Sequence, residues 1–483
     1  MKLNALLHGI DILSSSVDLN LEISGVSYDS RATQPGDLFV AMTGFAVDGH
    51  SFIPKAMAAG AAAVLCEKIP EDAAIPYVQV ADSRRALAVV GANYFDHPAD
   101  AMTMVAVTGT NGKTTTTYLL KSILEQEIGA KVGLIGTNQN MIGDEIIPTE
   151  RTTPESFEVQ RLFARMRSAG CTHVVMEASS HALYLDRVYG VPFAVGIFTN
   201  LTQDHLDFHK TMEEYCDAKS ILFRNCEVGV CNSDDPWTER LLKNATCRKY
   251  FYARNTDADL RAEHVVLEAD HVSFDAVTAE ERVPIRVNIP GGFMVYNTLD
   301  ALGAALALGV SLEQSARALA NVSHVKGRVE VVPTPGKDYT ILIDYAHSPD
   351  GMENVLSSVK GFAKGRTIAL FGCGGDRDRT KRPLMGAVAA RIADFAVVTT
   401  DNPRTEQPAD IIADILPGME GYDTPYVVVE DRIEAIHWAM DHAEAGDVIV
   451  LCGKGHETYQ EINHVKHHMD EREIVAEYLN TAR

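Results

Sequence analysis

The chain has 483 residues, too many for one ordinary hydrophobic core, so three domains are the natural expectation. With 43 basic against 66 acidic residues, its formal charge of −23 disfavours nucleic acid and anionic membrane and favours soluble small-molecule chemistry. Any anionic substrate must then be caught by locally placed cations.

Met1 to Leu13 carries one Lys and a short apolar stretch without a small-residue cleavage site. No run approaches the roughly 18 apolar residues of a membrane span, and a cytoplasmic protein without a membrane partner is expected. Cys66, Cys171, Cys216, Cys226, Cys231, Cys247, Cys373 and Cys452 form no CxxC pair, which predicts buried, reduced thiols rather than a zinc site or disulfide framework.

The first segment has a strand-like run at Asp37 to Met42 and an Ala-rich stretch from Ala56 to Val64, and ends at the linker His97-Pro98-Ala99-Asp100. Met102 to Thr108 reads as a buried strand that breaks into a Gly-bearing turn and continues as a helix through Tyr118 to Leu124. Apolar runs at His173 to Met176, Phe193 to Phe198 and Val228 to Cys231 alternate with helical stretches, the pattern of a mostly parallel sheet covered by helices. Beyond Val325-Lys326-Gly327 come strand-like runs at Thr340 to Asp344, Thr367 to Phe371, Phe395 to Thr400 and Asp447 to Cys452. Each leads into a polar or Gly-rich turn, so the working loops should lie at strand C-termini.

The expected class is therefore α/β in three domains. Residues 1–99 form a smaller N-terminal α/β domain, 100–326 a central P-loop-type domain with a mostly parallel sheet and helices on both faces, and 327–483 a Rossmann-like α/β domain.

The turn Thr108-Gly109-Thr110-Asn111-Gly112-Lys113-Thr114-Thr115 has the parts of a phosphate cradle: glycines for close backbone approach, a Lys charge, and a hydroxyl for Mg²⁺. Its GxxGKT spacing is two residues shorter than the general GxxxxGK[ST] pattern. A strand before it and a helix after it argue against a chance Gly-Lys-Thr turn.

This stretch resembles the Mur ligases and their relative folylpolyglutamate synthetase, enzymes that join an amino acid to a carboxylate using ATP, and the resemblance extends through all three expected domains. For the central domain it implies Lys113, Glu177, His205 and Lys219 as catalytic. Glu177 follows the strand at His173; Thr114 and Glu177 are chemically sensible Mg²⁺ ligands, and local chemistry leaves His205 open between a softer ligand and a packed histidine. Lys219 alone reads as a solvated surface cation. The resemblance implies that CO₂ carbamylates it into an anionic donor, giving a metal set of Thr114, Glu177, His205 and Lys219. It further implies ATP contacts from Gly109 through Thr115 and from Asn297, Arg328 and Asp344. Met294 departs from the pattern, standing where relatives often have a second Asn.

For the acceptor, Tyr28-Asp29-Ser30-Arg31 and the loop Gly44 to His50 resemble the uridine and phosphate entrance, which points to Ser30, Phe45, Ala46 and Val47. Without the resemblance both would be ordinary turns. Thr152, Thr153, Ser179 and Arg187 match positions holding the muramoyl dipeptide; hydroxyls and a guanidinium can orient an anionic D-Glu tail. Leu185 stands where some relatives have a polar contact.

For the incoming amino acid, Asp401-Asn402-Pro403-Arg404 resembles the signature of diaminopimelate-adding members, with Arg377, Gly453 and Glu457 as further contacts. An Arg fork grips a carboxylate at two points, and diaminopimelate differs from lysine by one distal carboxylate. By turn chemistry alone the quartet could be a turn with an exposed arginine.

The resemblance therefore implies an ADP-forming ligase of peptidoglycan precursor synthesis. Its partners would be ATP, UDP-MurNAc-L-Ala-D-Glu and meso-diaminopimelate, its cofactor Mg²⁺, and its state a monomer without nucleic acid. Because the substrates sit on different domains, approach of the third domain is expected. Lysine-adding or dipeptide-adding relatives, or a P-loop switch that only hydrolyses nucleotide, are the alternatives.

Overall fold

The computed structural model describes residues 1–44, 47–149, 151–268, 270–322 and 324–481, with the backbone alone at Asp207. Alternation along one strand explains the central layer. In Thr103–Thr108, Val105 and Val107 pack to one side and Met104 and Ala106 to the other, all fully buried. The valines join Leu119, Leu120 and Ile123 of the helix Lys113–Ile128 and Leu299 of Phe293–Ala307. Met104 and Ala106 join Phe163 and Met166 of Ser156–Ser168 and Tyr215 of Met212–Ser220. A strand covered on both faces has no solvent-facing positions, so it reads as a continuous apolar run.

That strand lies inside an 11-stranded sheet. Val132–Ile135, His173–Glu177, Thr103–Thr108, Phe193–Phe198, Cys226–Asn232 and Arg248–Ala253 run parallel in that spatial order. Antiparallel strands extend both edges, Asn140–Ile142 and Glu145–Ile147 on one side and Val272–Val277 and Arg282–Val287 on the other. Thr103–Thr108 is flanked by two strands that both follow it in sequence, so the chain changes direction across the sheet here. Loops leaving the three strand ends diverge to opposite faces and open the crevice that open α/β sheets use for ligands.

The N-terminal part holds a five-stranded sheet in which Leu38 and Val40 face one small core and Phe39 and Ala41 another. The last third holds a six-stranded sheet, parallel apart from the edge strand Glu330–Val332. Thr340–Asp344, Val448–Cys452, Thr367–Phe371 and Phe395–Val398 lie side by side, so the loops after Asp344, Cys452, Phe371 and Val398 share one rim. A hairpin, Tyr459–Ile462 with Val465–His468, follows the last of these loops. All eight cysteines are free thiols, buried except for the half-buried Cys247. Among the described residues no helix is long and apolar enough to cross a membrane.

Candidate functional site

The phosphate loop is built by close approach of backbone to side chain. Gly109 and Gly112 have φ of 150° and 88°. A Cβ on Gly109 would lie 1.9 Å from Thr199 Oγ1, and one on Gly112 would lie 2.4 Å from Asn297 Oδ1. Glycine at 112 is therefore what lets the helix Phe293–Ala307 bring the Asn297 amide against the loop. The loop is pinned from below: Thr110 N donates to Asn200 O at 2.9 Å, Asn111 N to Asn200 Oδ1 at 2.9 Å, and Thr199 Oγ1 to Asn111 O at 2.6 Å. Lys113 Nζ folds back onto Gly109 O and Thr110 O at 2.9 and 2.8 Å. Burial lowers its pKa, partly offset by Glu177 and Asp204, which leaves a poorly solvated cation with much to gain from a phosphate.

Thr114 and Thr115 are buried in the first turn of the helix. Thr114 Oγ1 donates to Glu177 Oε1 at 2.9 Å, and the Thr137 amide and hydroxyl each reach the same carboxylate at 2.9 Å. A fully buried carboxylate touching a hydroxyl at the phosphate loop is hard-oxygen chemistry, which fits Mg²⁺ sharing its shell with phosphate oxygens. Among the described residues no three His, Cys, Asp or Glu side chains converge into a protein-only cation cage.

The solvated-surface reading of Lys219 is corrected: the residue is 1% exposed. The helix Met212–Ser220 turns it inward, where Nζ donates to Gly109 O at 2.8 Å and lies 4.3 Å from the Tyr215 ring centre. Burial first, then the Lys113 charge, holds its pKa well below the ordinary lysine value. That favours the neutral amine, the form that reacts with CO₂. His205 is exposed, with φ of 54°, Nε2 3.5 Å from Asp204 Oδ2, and its ring edge-on to His181 at 5.0 Å.

One residue of the following segment, Arg328, reaches back to the loop. Arg328 donates from NH2 to Thr114 Oγ1 at 3.0 Å, stacks over Tyr345 at 4.9 Å, and keeps a buried Nε without a partner among the described residues. A buried unpaired donor is costly, so an anion here would relieve it. Asp344 accepts from Val329 N and Ala346 N, each at 2.8 Å, which ties the backbone just after Arg328 to the turn that follows Asp344. Burial raises the Asp344 pKa, opposed by Arg328. Met294 is core, and its sulfur lies 3.8 Å from Asn297 Nδ2.

The acceptor residues line the junction of the first and central parts. Ser30 is buried in its turn and neighbouring Tyr28 bonds to Glu158 of the central part. Val47 is 56% exposed, and Phe45 and Ala46 lie outside the described residues. Thr152 Oγ1 pairs with Thr137 Oγ1 at 3.0 Å. Thr153 is buried and occupied internally: its hydroxyl donates to Glu177 O at 2.7 Å and accepts from Ser179 N at 3.2 Å. Ser179 caps the helix Ser180–Tyr184 through Ala182 N at 3.1 Å. Arg187 donates to Thr153 O at 3.1 Å, and its buried Nε lies 3.4 Å from Glu155 Oε2. Sequence reasoning missed Arg84, 3.8 Å from the same Glu155; it gives this wall a second guanidinium from the first part of the chain.

In the last third, two loops interlock. A Cβ on Gly375 would fall 2.0 Å from Pro403 O, and one on Gly374 would fall 2.9 Å from Arg404 NH1, so these glycines let the loops Gly372 to Arg377 and Asp401 to Arg404 touch. Arg404, at φ 51°, donates from NH1 to Gly375 O at 2.8 Å and from Nε to Glu461 Oε2 at 3.2 Å. Asn402 donates to Glu457 Oε2 at 2.8 Å, and the buried Lys454 bridges Asn402 Oδ1 and Glu457 Oε2 at 3.0 and 3.1 Å. Burial would raise Asp401, but Lys454 and Arg432 outweigh it and hold it below the usual carboxylate range. Asp401 Oδ2 lies 2.4 Å from where a Cβ on Gly453 would stand. Arg377 is exposed and donates to its neighbour's carbonyl, Asp376 O, at 3.1 Å. Lys454 and Glu461 were not read from sequence; the position of Lys454 between Gly453 and Gly455 was the available signal for the first, and the hairpin that carries Glu461 gave none.

A phosphate loop in the middle, an arginine-bearing wall on one side and a zwitterion-compatible loop pair on the other define a three-domain, nucleotide-dependent enzyme. Domain models of the Mur ligases match in order along the chain: the Mur ligase family catalytic domain at residues 22–97, the Mur ligase middle domain at 107–305, and the Mur ligase glutamate ligase domain at 327–455. Among similar proteins, UDP-N-acetylmuramoyl-L-alanyl-D-glutamate–2,6-diaminopimelate ligase 1 of Clostridium acetobutylicum is 47% identical, covering 99% of both chains. The ligase of that activity from Clostridium botulinum is 46% identical with the same coverage. A solved structure of a UDP-N-acetylmuramoyl-L-alanyl-D-glutamate–2,6-diaminopimelate ligase superposes with a TM-score of 0.72 at 31% identity, over 100% of this chain and 99% of the other. The chain belongs to the Mur ligase family.

Proposed function

We propose that this enzyme uses ATP to join meso-diaminopimelate to the D-Glu γ-carboxylate of UDP-MurNAc-L-Ala-D-Glu, releasing ADP and phosphate. The observation that carries the choice of amino acid is Arg404, held by Gly375 O and Glu461 within the loop pair that also contains Asn402, beside Lys454 and Glu457 of the loop after Val448–Cys452. A guanidinium whose orientation is fixed by the protein recognises a distal carboxylate that lysine lacks. The relatives named above support the same choice.

A carboxylate is a poor electrophile, so it is first phosphorylated. Its oxygen attacks the γ-phosphorus, the bond to the β–γ bridging oxygen breaks, and ADP leaves. Lys113, the loop amides and Arg328 stabilise the charge on the transferring group, while Arg187 and Arg84 orient the anionic acceptor. The unprotonated amine then attacks the acyl carbon, phosphate departs with the bonding pair, and the nitrogen gives up one proton to the departing phosphate. Thr114 and Glu177, with His205 and a carbamylated Lys219, would hold Mg²⁺, which supplies further charge neutralisation when bound. The three parts act as domains with bounds near 1–99, 100–326 and 327–483, in a cytoplasmic monomer.

Phosphate release that requires both the UDP-dipeptide and the amino acid would support the ligase. Release with nucleotide alone, at an undiminished rate, would make the protein a nucleotide switch instead.

A further inference from the structure

Besides Arg328 on Thr114 Oγ1, a second side chain carries the contact between the last third and the phosphate loop. Asp350 stands in the first turn of the helix Pro349–Lys360. Its Oδ2 accepts from Asn111 Nδ2 at 2.6 Å and from Thr202 Oγ1 at 2.8 Å, with Asn354 Nδ2 a longer contact at 3.3 Å. Asn111 belongs to the phosphate loop and Thr202 to the segment after the strand Phe193–Phe198. A single carboxylate oxygen therefore gathers donors from both loops that wall the phosphate site.

Both ends of this contact are rigidly mounted. Thr202 N donates to Thr110 Oγ1 at 3.0 Å and Thr202 O accepts from it at 3.2 Å, so the two loops move together. The main chain of Asn111 is committed to Asn200 and Thr199, which leaves its side chain to reach across. On the other side, Ser348 caps the helix through Gly351 N at 3.2 Å, and Met352, Val355, Leu356 and Val359 bury its apolar face. Within its own helix Asp350 has the favourable first-turn position and the longer Asn354 contact. Burial first, then the Glu353 and Asp204 charges, raise its pKa, and the Thr202 and Asn111 donors oppose this.

We propose that Asp350 is a positioning residue that docks the amino-acid-bearing domain onto the phosphate loop, so that delivery of the amine depends on the shape of that loop. This rests on the ligase reading above for its substrates, and its atoms touch neither substrate nor reacting centre.

The test uses the full-length enzyme with Asp350→Ala, Asp350→Asn, Thr202→Val and the double variant Asp350→Ala/Thr202→Val. Two readouts are followed: kcat/KM for meso-diaminopimelate, and the radius of gyration by small-angle scattering with a non-hydrolysable ATP analogue. Losing two hydrogen bonds to a charged acceptor should cost Asp350→Ala on the order of tenfold or more in kcat/KM, with affinity for the UDP-dipeptide unchanged. Asp350→Asn, which keeps an acceptor oxygen, should recover most of that loss, and the double variant should be no worse than Asp350→Ala alone, because the shared contact is already gone. The analogue-bound Asp350→Ala enzyme should also be less compact than the parent. A folded Asp350→Ala enzyme with kcat/KM within about twofold of the parent would overturn the proposal, as would losses that multiply in the double variant. If meso-diaminopimelate were not used at all, the ligase reading would fail, yet scattering would still decide the docking role: equal radii for parent and Asp350→Ala would overturn it.

Discussion

Arg404→Lys keeps the positive charge and removes the fork. In the native site Nε is taken by Glu461 at 3.2 Å and NH1 by Gly375 O at 2.8 Å, so the protein fixes the guanidinium plane and leaves its other N–H groups for a ligand. A lysine ammonium cannot satisfy Glu461, Gly375 O and a bidentate carboxylate together. Losing one charge-assisted hydrogen bond costs about 1.5–3 kcal/mol, which is roughly 10- to 150-fold in kcat/KM. The assay is ADP release at saturating ATP and UDP-dipeptide with meso-diaminopimelate varied. The KM for ATP should stay within about twofold, since the nucleotide loop shares no partner with Arg404. Glu461→Gln keeps the geometry but replaces a charged acceptor by a neutral one, about half as strong, and should give a smaller loss of the same kind. A kcat/KM for Arg404→Lys within about twofold of the parent would refute the assignment of Arg404 to the distal carboxylate.

Gly112→Ala puts a Cβ 2.4 Å from Asn297 Oδ1 at a φ of +88°, so it should cost about 1–3 kcal/mol of stability and raise the KM for ATP; melting temperature and ATP titration check both. An unchanged KM would mean that Asn297 does not need to approach the loop. Asp300 is buried beneath the loop, bonded to Tyr252 OH at 2.5 Å and Thr116 Oγ1 at 3.2 Å, and burial raises its pKa well above the ordinary value. A folded pKa above the unfolded one means its favourable contribution is complete below the unfolded pKa of about 4 and is lost as pH rises toward the folded value. Asp300→Asn removes this titration, so denaturant melts from pH 4 upward should show the variant gaining on the parent as pH rises. A stability difference that stays constant with pH would contradict a neutral, buried Asp300.

Much of this architecture was legible because parallel strands covered on both faces are long apolar runs: Thr340–Asp344 and Phe193–Phe198 have the bounds their sequences suggest. The edges were not. Arg282–Val287 alternates exposed Arg282, Pro284 and Arg286 with buried Val283, Ile285 and Val287, a short two-faced pattern that a search for apolar runs passes over. The phosphate loop could be read because Gly-Lys-Thr between strand and helix is contiguous in sequence. Arg84, Glu461 and Asp350 could not, because each takes its meaning from a partner on a distant element: Glu155, Arg404 and Asn111. Lys219 shows the converse error: a lone lysine in a polar helix looks solvated until the fold turns that face under Gly109.

The most direct measurement is phosphate release with ATP and UDP-MurNAc-L-Ala-D-Glu, comparing meso-diaminopimelate, L-lysine and L-ornithine at equal concentration. A ligase built around Arg404 should turn over with meso-diaminopimelate and reject the other two by roughly tenfold to a hundredfold or more, as expected where a half-buried guanidinium loses its carboxylate partner. Preference for lysine or ornithine would contradict it.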